Sequence, residues 1–172
     1  MSQQALTLDQ VLTQRREASR EIVNVDEPTV KLVIFELQGE WFAFHGDRIR
    51  EILSQVEVFF VPGCPPSLEG VINVRGDIES VISLNNLLKL AESPEGSAFS
   101  YLLGHGAGMR SGIRVEQVVD VVDVLLSNIH APPGTLPEHL RAMVSGIFQF
   151  KEKPVTVLDL DRIFSDYSHK PG

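Results

Sequence analysis

Five histidines are the residues of this chain whose type best suits metal or acid–base chemistry. They are His45, His105, His130, His139 and His169. They are scattered along the chain, with no pair at i,i+4 spacing and no HExxH motif. A zinc site needs several deprotonated donors that converge, and the single cysteine adds little to that set. The histidines are therefore interpreted as surface or turn residues, and we expect no metal site.

Residues 104–108 form the one glycine-rich loop, with the sequence Gly-His-Gly-Ala-Gly. A loop that cradles phosphate leads into a helix N-terminus, and in a P-loop it also carries a lysine. Here the loop leads into residues 109–115, whose pattern is typical of a strand. The loop is thus predicted to connect a β-hairpin, and no nucleotide or other cofactor is expected.

Catalytic patterns are also missing from the sequence. The G-x-S-x-G motif of a nucleophile elbow does not occur. The acidic pairs Asp159/Asp161 and Asp120/Asp123 lie in β-rich or turn segments without an evident partner. Carboxylate catalysis needs two environments that separate the pKa values of the pair, and none is visible. We expect no catalytic residue and no enzymatic activity.

Composition narrows the class of protein further. Fifteen basic residues against 23 acidic ones give a net charge of −8, which disfavours nucleic acid as a partner. No apolar run approaches the roughly eighteen residues of a membrane span, and the N-terminus lacks the pattern of a secretory signal. A single cysteine, Cys64, fits a reducing compartment. These features predict a cytoplasmic globular protein without direct membrane insertion.

Short β-rich runs make up most of the chain after Lys31. Residues 32–37 and 41–44 flank a glycine turn and predict a hairpin. Further strands are predicted at 56–61, 70–74, 78–84, 99–103, 111–115, 121–126, 147–150 and 155–160. Strands this short and frequent are typical of a barrel or a sandwich.

Helical patterns are few. Residues 7–22 predict one helix, with Thr7 or Asp9 as its cap, inside an extension and linker that spans residues 1–30. Brief helical stretches are predicted at 48–53, 84–90 and 160–165.

The chain contains an internal repeat. Residues 70–88 align without gaps to residues 146–164, with a shared glycine and a shared basic residue, Arg75 or Lys151. A weaker echo relates residues 43–52 to residues 112–121. The repeat predicts two copies of one β-unit, each of which buries its own apolar strand faces.

Several blocks of the sequence resemble the CheW family of chemosensory coupling proteins. They are residues 32–53, 68–84, with the stretch Gly-Val-Ile-Asn-Val-Arg-Gly, 111–137 and 141–164. The resemblance implies an all-β fold of two five-stranded SH3-like β-barrels that share a hydrophobic core, after a short N-terminal helical extension. It assigns residues 31–172 to one CheW-like domain with two barrel subdomains.

The resemblance also implies a function without catalysis. Proteins of this family bridge the cytoplasmic tip of a methyl-accepting chemoreceptor to the regulatory domain of a chemotaxis-type histidine kinase, a domain that itself resembles this fold. Five residues fall at positions that the family associates with receptor binding: Ile49, Glu51, Gly70, Arg75 and Val118. The resemblance assigns no residue of this chain to the kinase contact.

This chain departs from the family pattern at Gly46, where an apolar groove residue is usual. That departure leaves open an auxiliary scaffold of the same family, in a pathway that controls surface motility, biofilm or a second messenger. A more distant alternative is a small β-barrel that binds single-stranded nucleic acid through exposed aromatics. The net charge argues against it, and Trp41, Phe42 and Phe44 are interpreted as the core of the first hairpin.

Overall fold

A computed structural model describes residues 27–94 and 97–169 of the chain. The helix predicted over residues 7–22, and with it most of the predicted extension, lies outside the described residues. The description below therefore concerns the β-rich part of the chain.

Ten strands form the framework of the described residues. They are β1 (Thr29–Leu37), β2 (Glu40–His45), β3 (Ile49–Ser54), β4 (Leu68–Val74), β5 (Asp77–Ser83), β6 (Ser100–Gly106), β7 (Met109–Val115), β8 (Gln117–Leu125), β9 (Val144–Phe150) and β10 (Lys153–Leu158). Three short α-helices accompany them, α1 (Leu84–Leu87), α2 (Glu138–Arg141) and α3 (Leu160–His169). Two 3-10 turns, Gly46–Arg48 and Leu126–Asn128, follow β2 and β8.

The strands form two five-stranded sheets. The first barrel has the strand order β9-β10-β2-β1-β8, and the second barrel has the order β3-β6-β7-β5-β4. Most neighbours are antiparallel, but β10 runs parallel to β2 and β5 runs parallel to β7. The predicted all-β fold of two five-stranded barrels is confirmed.

Strand pairing follows the internal repeat residue by residue. Val81 pairs with Gly112 in the second barrel, and the corresponding residues Val157 and Ala43 pair in the first. Each barrel also carries a β-bulge in both of its edge strands, including those at Arg50 in β3 and at Val119 in β8. The segments that begin at Gly70 and Gly146 therefore occupy equivalent strands.

The two copies of the repeat exchange strands, and here the expectation that each copy buries its own strands is wrong. The first copy places β1 and β2 in the first barrel but β3, β4 and β5 in the second. The second copy, β6 to β10, does the converse. The 3-10 turn Gly46–Arg48 redirects the chain between the barrels, so that β3 pairs with β6 and not with β2.

One apolar cluster joins the two barrels. It contains Phe35 and Phe44 of the first barrel and Ile82 and Leu102 of the second, all fully buried. Helix α3 covers the cluster with its buried apolar face, including Phe164. The shared core follows from the exchange of strands, because each copy contributes apolar strand faces to both barrels.

Two local predictions are wrong. Residues 48–53 form mainly strand β3 and not a helix. The residues of β3 alternate between half-buried and exposed, but the apolar Ile52 is exposed and the acidic Glu51 is half-buried, so the sequence does not show the alternation of a strand. Residues 56–61 form no regular strand and pair with β4 only through Phe59 and Val71. The short helices after Ser83 and Asp159 begin where they are predicted.

Candidate partner-binding site

The motif Asn73-Val74-Arg75-Gly76 forms the turn that carries the most exposed residue of the predicted site. Arg75 and Gly76 have φ angles of 51° and 93°, as a two-residue type I′ hairpin turn requires. The side chain of Asn73 accepts a 2.8 Å hydrogen bond from the backbone N–H of Gly76. The turn therefore holds Arg75 at the tip of the β4–β5 hairpin, where 71% of its side chain is exposed.

Arg75 contacts Glu51 across the opening of the second barrel. Glu51 lies on β3 and Arg75 follows β4, the two strands at opposite edges of the sheet. Nη2 of Arg75 donates to Oε1 of Glu51 at 2.6 Å. This hydrogen bond lowers the pKa of Glu51 below its usual value, and the same contact raises the pKa of the Arg75 guanidinium. The pair is thus a charged bond between the two edge strands.

Gly70 allows the chain to close the same barrel at a second point. Phe59 and Val71 exchange two backbone hydrogen bonds of 2.8 and 2.9 Å. A Cβ atom at Gly70 would collide with the carbonyl oxygen of Phe59, and the φ angle of Gly70 is +155°. Gly70 is therefore required for the close approach of two backbone segments, and the residue itself is buried.

Ile49 and Val118 occupy equivalent positions, next to the bulges at Arg50 and Val119. Ile49 lies opposite Gly104 on β6, and Val118 lies opposite Phe35 on β1. Both side chains are half-buried and pack against the apolar cluster that the barrels share. The two residues thus border the junction of the barrels from two different sheets, and each keeps part of its surface exposed.

The structure brings Glu51 and Arg75 into direct contact and places Ile49 on the same strand as Glu51. Val118 lies in the other barrel, and Gly70 lies beneath Phe59. Glu51 accepts one N–H group of the Arg75 guanidinium.

Asp120 and Lys151 are the counterparts of Glu51 and Arg75 in the first barrel, and the prediction of site residues omitted them. Their side chains make different contacts. The carboxylate of Asp120 accepts a hydrogen bond from the backbone N–H of Val121 at 2.8 Å, and Nζ of Lys151 lies 5.3 Å from the centre of the Phe150 ring. The alignment of the two repeats was the signal that could have found them.

The described part of the chain has neither a candidate metal site nor a helix that could span a membrane. Residues 27–94 and 97–169 contain no group of three His, Cys, Asp or Glu side chains placed to hold a metal ion. None of the helices in the same residues is long and apolar enough to cross a membrane. The glycine-rich stretch 104–108 contains the turn of the β6–β7 hairpin, as predicted.

Comparison with known proteins places this fold in a family. The family model of the CheW-like domain matches residues 31–168 of the chain. The match spans most of the described residues and includes both barrels and all five residues of the predicted site. The chain belongs to the CheW-like domain family.

Relatives cover most of the chain at low identity. A chemotaxis protein CheW from Treponema pallidum is 25% identical over 145 residues, which are 82% of this chain and 85% of the relative. Another from Helicobacter pylori is 24% identical over 157 residues, 91% of this chain and 94% of the relative. The crystal structure of a CheW scaffolding protein from Thermoanaerobacter tengcongensis superposes with a TM-score of 0.70 at 25% identity, and covers 78% of this chain and 92% of that one.

Proposed function

We propose that this chain, a coupling adaptor of chemotaxis arrays, links the cytoplasmic tip of a chemoreceptor to the regulatory domain of a histidine kinase and catalyses no reaction itself. The observation that carries the proposal is the match of the CheW-like domain to residues 31–168, together with relatives named as chemotaxis and scaffolding proteins. An adaptor acts through its surfaces, so the proposal must name the surface that each partner meets.

The receptor surface in this proposal is the junction between the barrels. Ile49 and Val118 are half-buried, and each still presents apolar area beside the shared core. The family resemblance implies a helical bundle at the tip of the chemoreceptor, and an amphipathic helix fits an apolar groove through side chains at i, i+3, i+4 and i+7. Ile49 and Val118 would supply the apolar contacts on the two sides of this groove.

Arg75 would fix the orientation of the receptor helix on this surface. A guanidinium has five N–H groups, and the bond to Glu51 uses one of them. The exposed remainder of the side chain can donate to a carboxylate on the receptor helix in a charge-assisted hydrogen bond. Glu51 fixes the orientation of the guanidinium before binding, which lowers the entropy lost when the partner arrives.

Gly46, at which this chain departs from the family pattern, lies beside this surface. Gly46 begins the 3-10 turn that leads into β3, directly before Ile49. A Cβ atom there would lie 3.0 Å from Cγ of Lys31, which is the flexible stem of an exposed lysine. Because glycine has no side chain, the groove of this chain is wider at this position than one lined by an apolar residue, and we propose that it accepts a bulkier apolar side chain from its receptor.

Reconstitution from purified parts tests the proposal. The full chain is mixed with a receptor-tip fragment, with the kinase regulatory domain, and with both, and complex masses are measured by size-exclusion chromatography with light scattering. We expect two binary complexes and one ternary complex that contains all three components. Binding to neither fragment would contradict the adaptor function, and mutually exclusive binding would contradict the bridging role.

A further inference from the structure

A second group of charged side chains lies beside the Glu51–Arg75 contact on the second barrel. Arg50 of β3, Glu79 of β5 and Arg110 of β7 line one shallow depression of the surface. The pKa of Glu51 is lowered by the hydrogen bond from Arg75 and, to a smaller degree, by the charge of Arg50. The depression therefore adjoins the contact that the predicted receptor surface contains.

The bulge in β3 explains how Arg50 reaches this depression. Ile49 pairs with Gly104 and Glu51 pairs with the adjacent Leu103, so Arg50 is the extra residue of the bulge. A bulge re-aims the side chain at its extra residue, and Gly104, which also lines the depression, has no side chain to obstruct it. Arg50 is exposed and takes part in none of the ion pairs that residues 27–94 and 97–169 form. Its guanidinium is thus available to a partner.

Glu79 is a buried carboxylate that faces Arg110. Nη2 of Arg110 lies 3.5 Å from Oε2 of Glu79, which is longer than the about 2.7–2.9 Å of a charge-assisted hydrogen bond. The side chain of Glu79 is 7% exposed, whereas that of Arg110 is 58% exposed. Glu79 therefore provides a fixed negative charge behind Arg110 and leaves the N–H groups of the guanidinium for another acceptor.

The depression has an excess of positive charge, in a chain whose net charge is −8. Its two arginines carry two positive charges, and Glu79 carries one negative charge. Two like charges at one place repel each other, and the carboxylate between them lowers the cost of holding both. The neighbouring Arg75 has carboxylates of its own, because Glu51 and, to a smaller degree, Asp77 raise its pKa. The charge that complements the depression is therefore a second carboxylate, supplied by a partner.

We propose that Arg50 and Arg110 bind a carboxylate of the receptor helix, next to the one that Arg75 binds. This inference rests on the proposed adaptor function, because it names the chemistry that the receptor surface recognises. Arg50 lies between Ile49 and Glu51 on β3, so a helix that packs on Ile49 brings its flanking side chains to the depression. Two guanidiniums can donate to both oxygens of one carboxylate. The site selects a receptor helix with a second acidic residue beside its apolar face.

Calorimetric titration of the full chain with a receptor-tip fragment tests the two arginines. Arg50→Gln and Arg110→Gln should each raise the receptor Kd about fivefold, as loss of an exposed ion pair does, and the increase should vanish in about 1 M salt. Arg141→Gln, the same change at an exposed arginine of α2, should leave the Kd unchanged. Arg110→Gln also leaves Glu79 without its cation, whereas Arg50→Gln breaks no ion pair and so separates binding from folding.

The outcomes distinguish this inference from the function on which it rests. If the wild type binds the receptor fragment and both variants bind it equally well, the inference is overturned and the adaptor function stands. If the wild type binds no receptor fragment, both are overturned. Equal loss of affinity for the receptor fragment and for the kinase regulatory domain in Arg50→Gln would overturn the inference as well, because the change would then not be specific to the receptor.

Double-mutant cycles identify the carboxylate on the receptor side. Each Asp and Glu of the receptor-tip fragment is replaced in turn by its amide, and each product is titrated with the wild type, Arg50→Gln and Arg75→Ala. We expect one acidic position at which Arg50→Gln no longer changes the Kd, and a different position at which Arg75→Ala no longer changes it, because paired residues are not additive. An effect of Arg50→Gln that persists at every acidic position, or one position coupled to both arginines, would overturn the proposal.

Discussion

Glu51 and Arg75 lie on strands at opposite edges of one sheet, and a 2.6 Å hydrogen bond between their side chains spans the opening of the second barrel. The contact joins the strand after the first 3-10 turn to the hairpin tip of the Asn-Val-Arg-Gly motif. It therefore connects two parts of the predicted receptor surface, so that a change in either residue alters both.

The Glu51–Arg75 contact predicts a dependence of stability on pH. Arg75 lowers the pKa of Glu51 in the folded state, so the contact stabilises the fold above the unfolded-state pKa of about 4.3. That contribution is lost as the pH falls through the lowered folded-state pKa. The difference in unfolding free energy between the wild type and Glu51→Gln should therefore shrink between neutral and strongly acidic pH.

Urea unfolding at several pH values measures this difference, with Glu57→Gln as a control that removes the same charge from an exposed position. A difference that stays constant down to acidic pH would contradict the assigned role of the pair.

Gly70→Ala should destabilise the second barrel. The new Cβ atom collides with the Phe59 carbonyl, and the φ angle of Gly70 is unfavourable for alanine. Forced backbone displacement of this kind costs about 2 kcal/mol or more. Gly134→Ala is the matched control, because a Cβ atom there meets nothing within 4 Å. Equal unfolding free energies for the two variants in urea would show that the close approach does not constrain the fold.

Arg114 is a buried charge whose partners predict a large effect of its removal. Its guanidinium lies 2.8 Å from Glu69 and 3.4 Å from Glu92, and its centre is 4.5 Å from the Phe99 ring centroid. Arg114→Ala leaves these carboxylates without their cation and should cost about 3 kcal/mol of folding free energy. Arg162→Ala, which removes an exposed i,i+4 ion pair, should cost less than about 0.5 kcal/mol. Chemical denaturation that ranks the two variants in reverse order would contradict this account.

Tyr101 should ionise only at strongly alkaline pH. Burial in the second barrel raises the pKa of its phenol above the usual 10.0, and nearby Arg114 opposes part of that rise. Because the folded state favours the neutral phenol, this contribution to stability is complete below about pH 10 and is lost as the pH rises through the folded-state pKa. Ultraviolet titration should show a late tyrosinate phase that Tyr101→Phe removes. A titration with the same phases in both proteins would contradict the assignment.

Local patterns predicted most strands but could not predict which barrel each strand joins. Ile49 and Ile52 are spaced as on a helix, and Ile52 is exposed on β3 while Glu51 is half-buried, so the strand that changes barrels was predicted as a helix. The pairing of β3 with β6 joins residues that lie far apart in sequence, and no local preference encodes that choice. The register of the repeat was accessible from sequence because matched glycines and apolar positions recur in both copies.

The candidate site, too, could be predicted from the sequence only in part. The turn at Arg75 could be predicted from the sequence, because Asn73 and Gly76 are residue types that favour a tight turn between two strands. In the structure Arg75 and Gly76 have the left-handed φ angles of such a hairpin turn. The partner of Arg75 could not be predicted, because Glu51 reaches it only after the barrel closes.

Calorimetric titration of the receptor-tip fragment with groove variants tests the proposed receptor surface most directly. Ile49→Asp places a charge at the apolar junction of the barrels and should weaken binding by about 2 kcal/mol or more, a roughly thirtyfold higher Kd. Arg75→Ala should also raise the Kd, while Ile78→Asp, the same type of change at an exposed isoleucine, should not. Thermal melts and titration with the kinase regulatory domain monitor folding. Weakened receptor binding with retained kinase binding is the predicted result; receptor affinity that is unchanged in both Ile49→Asp and Arg75→Ala would contradict the account.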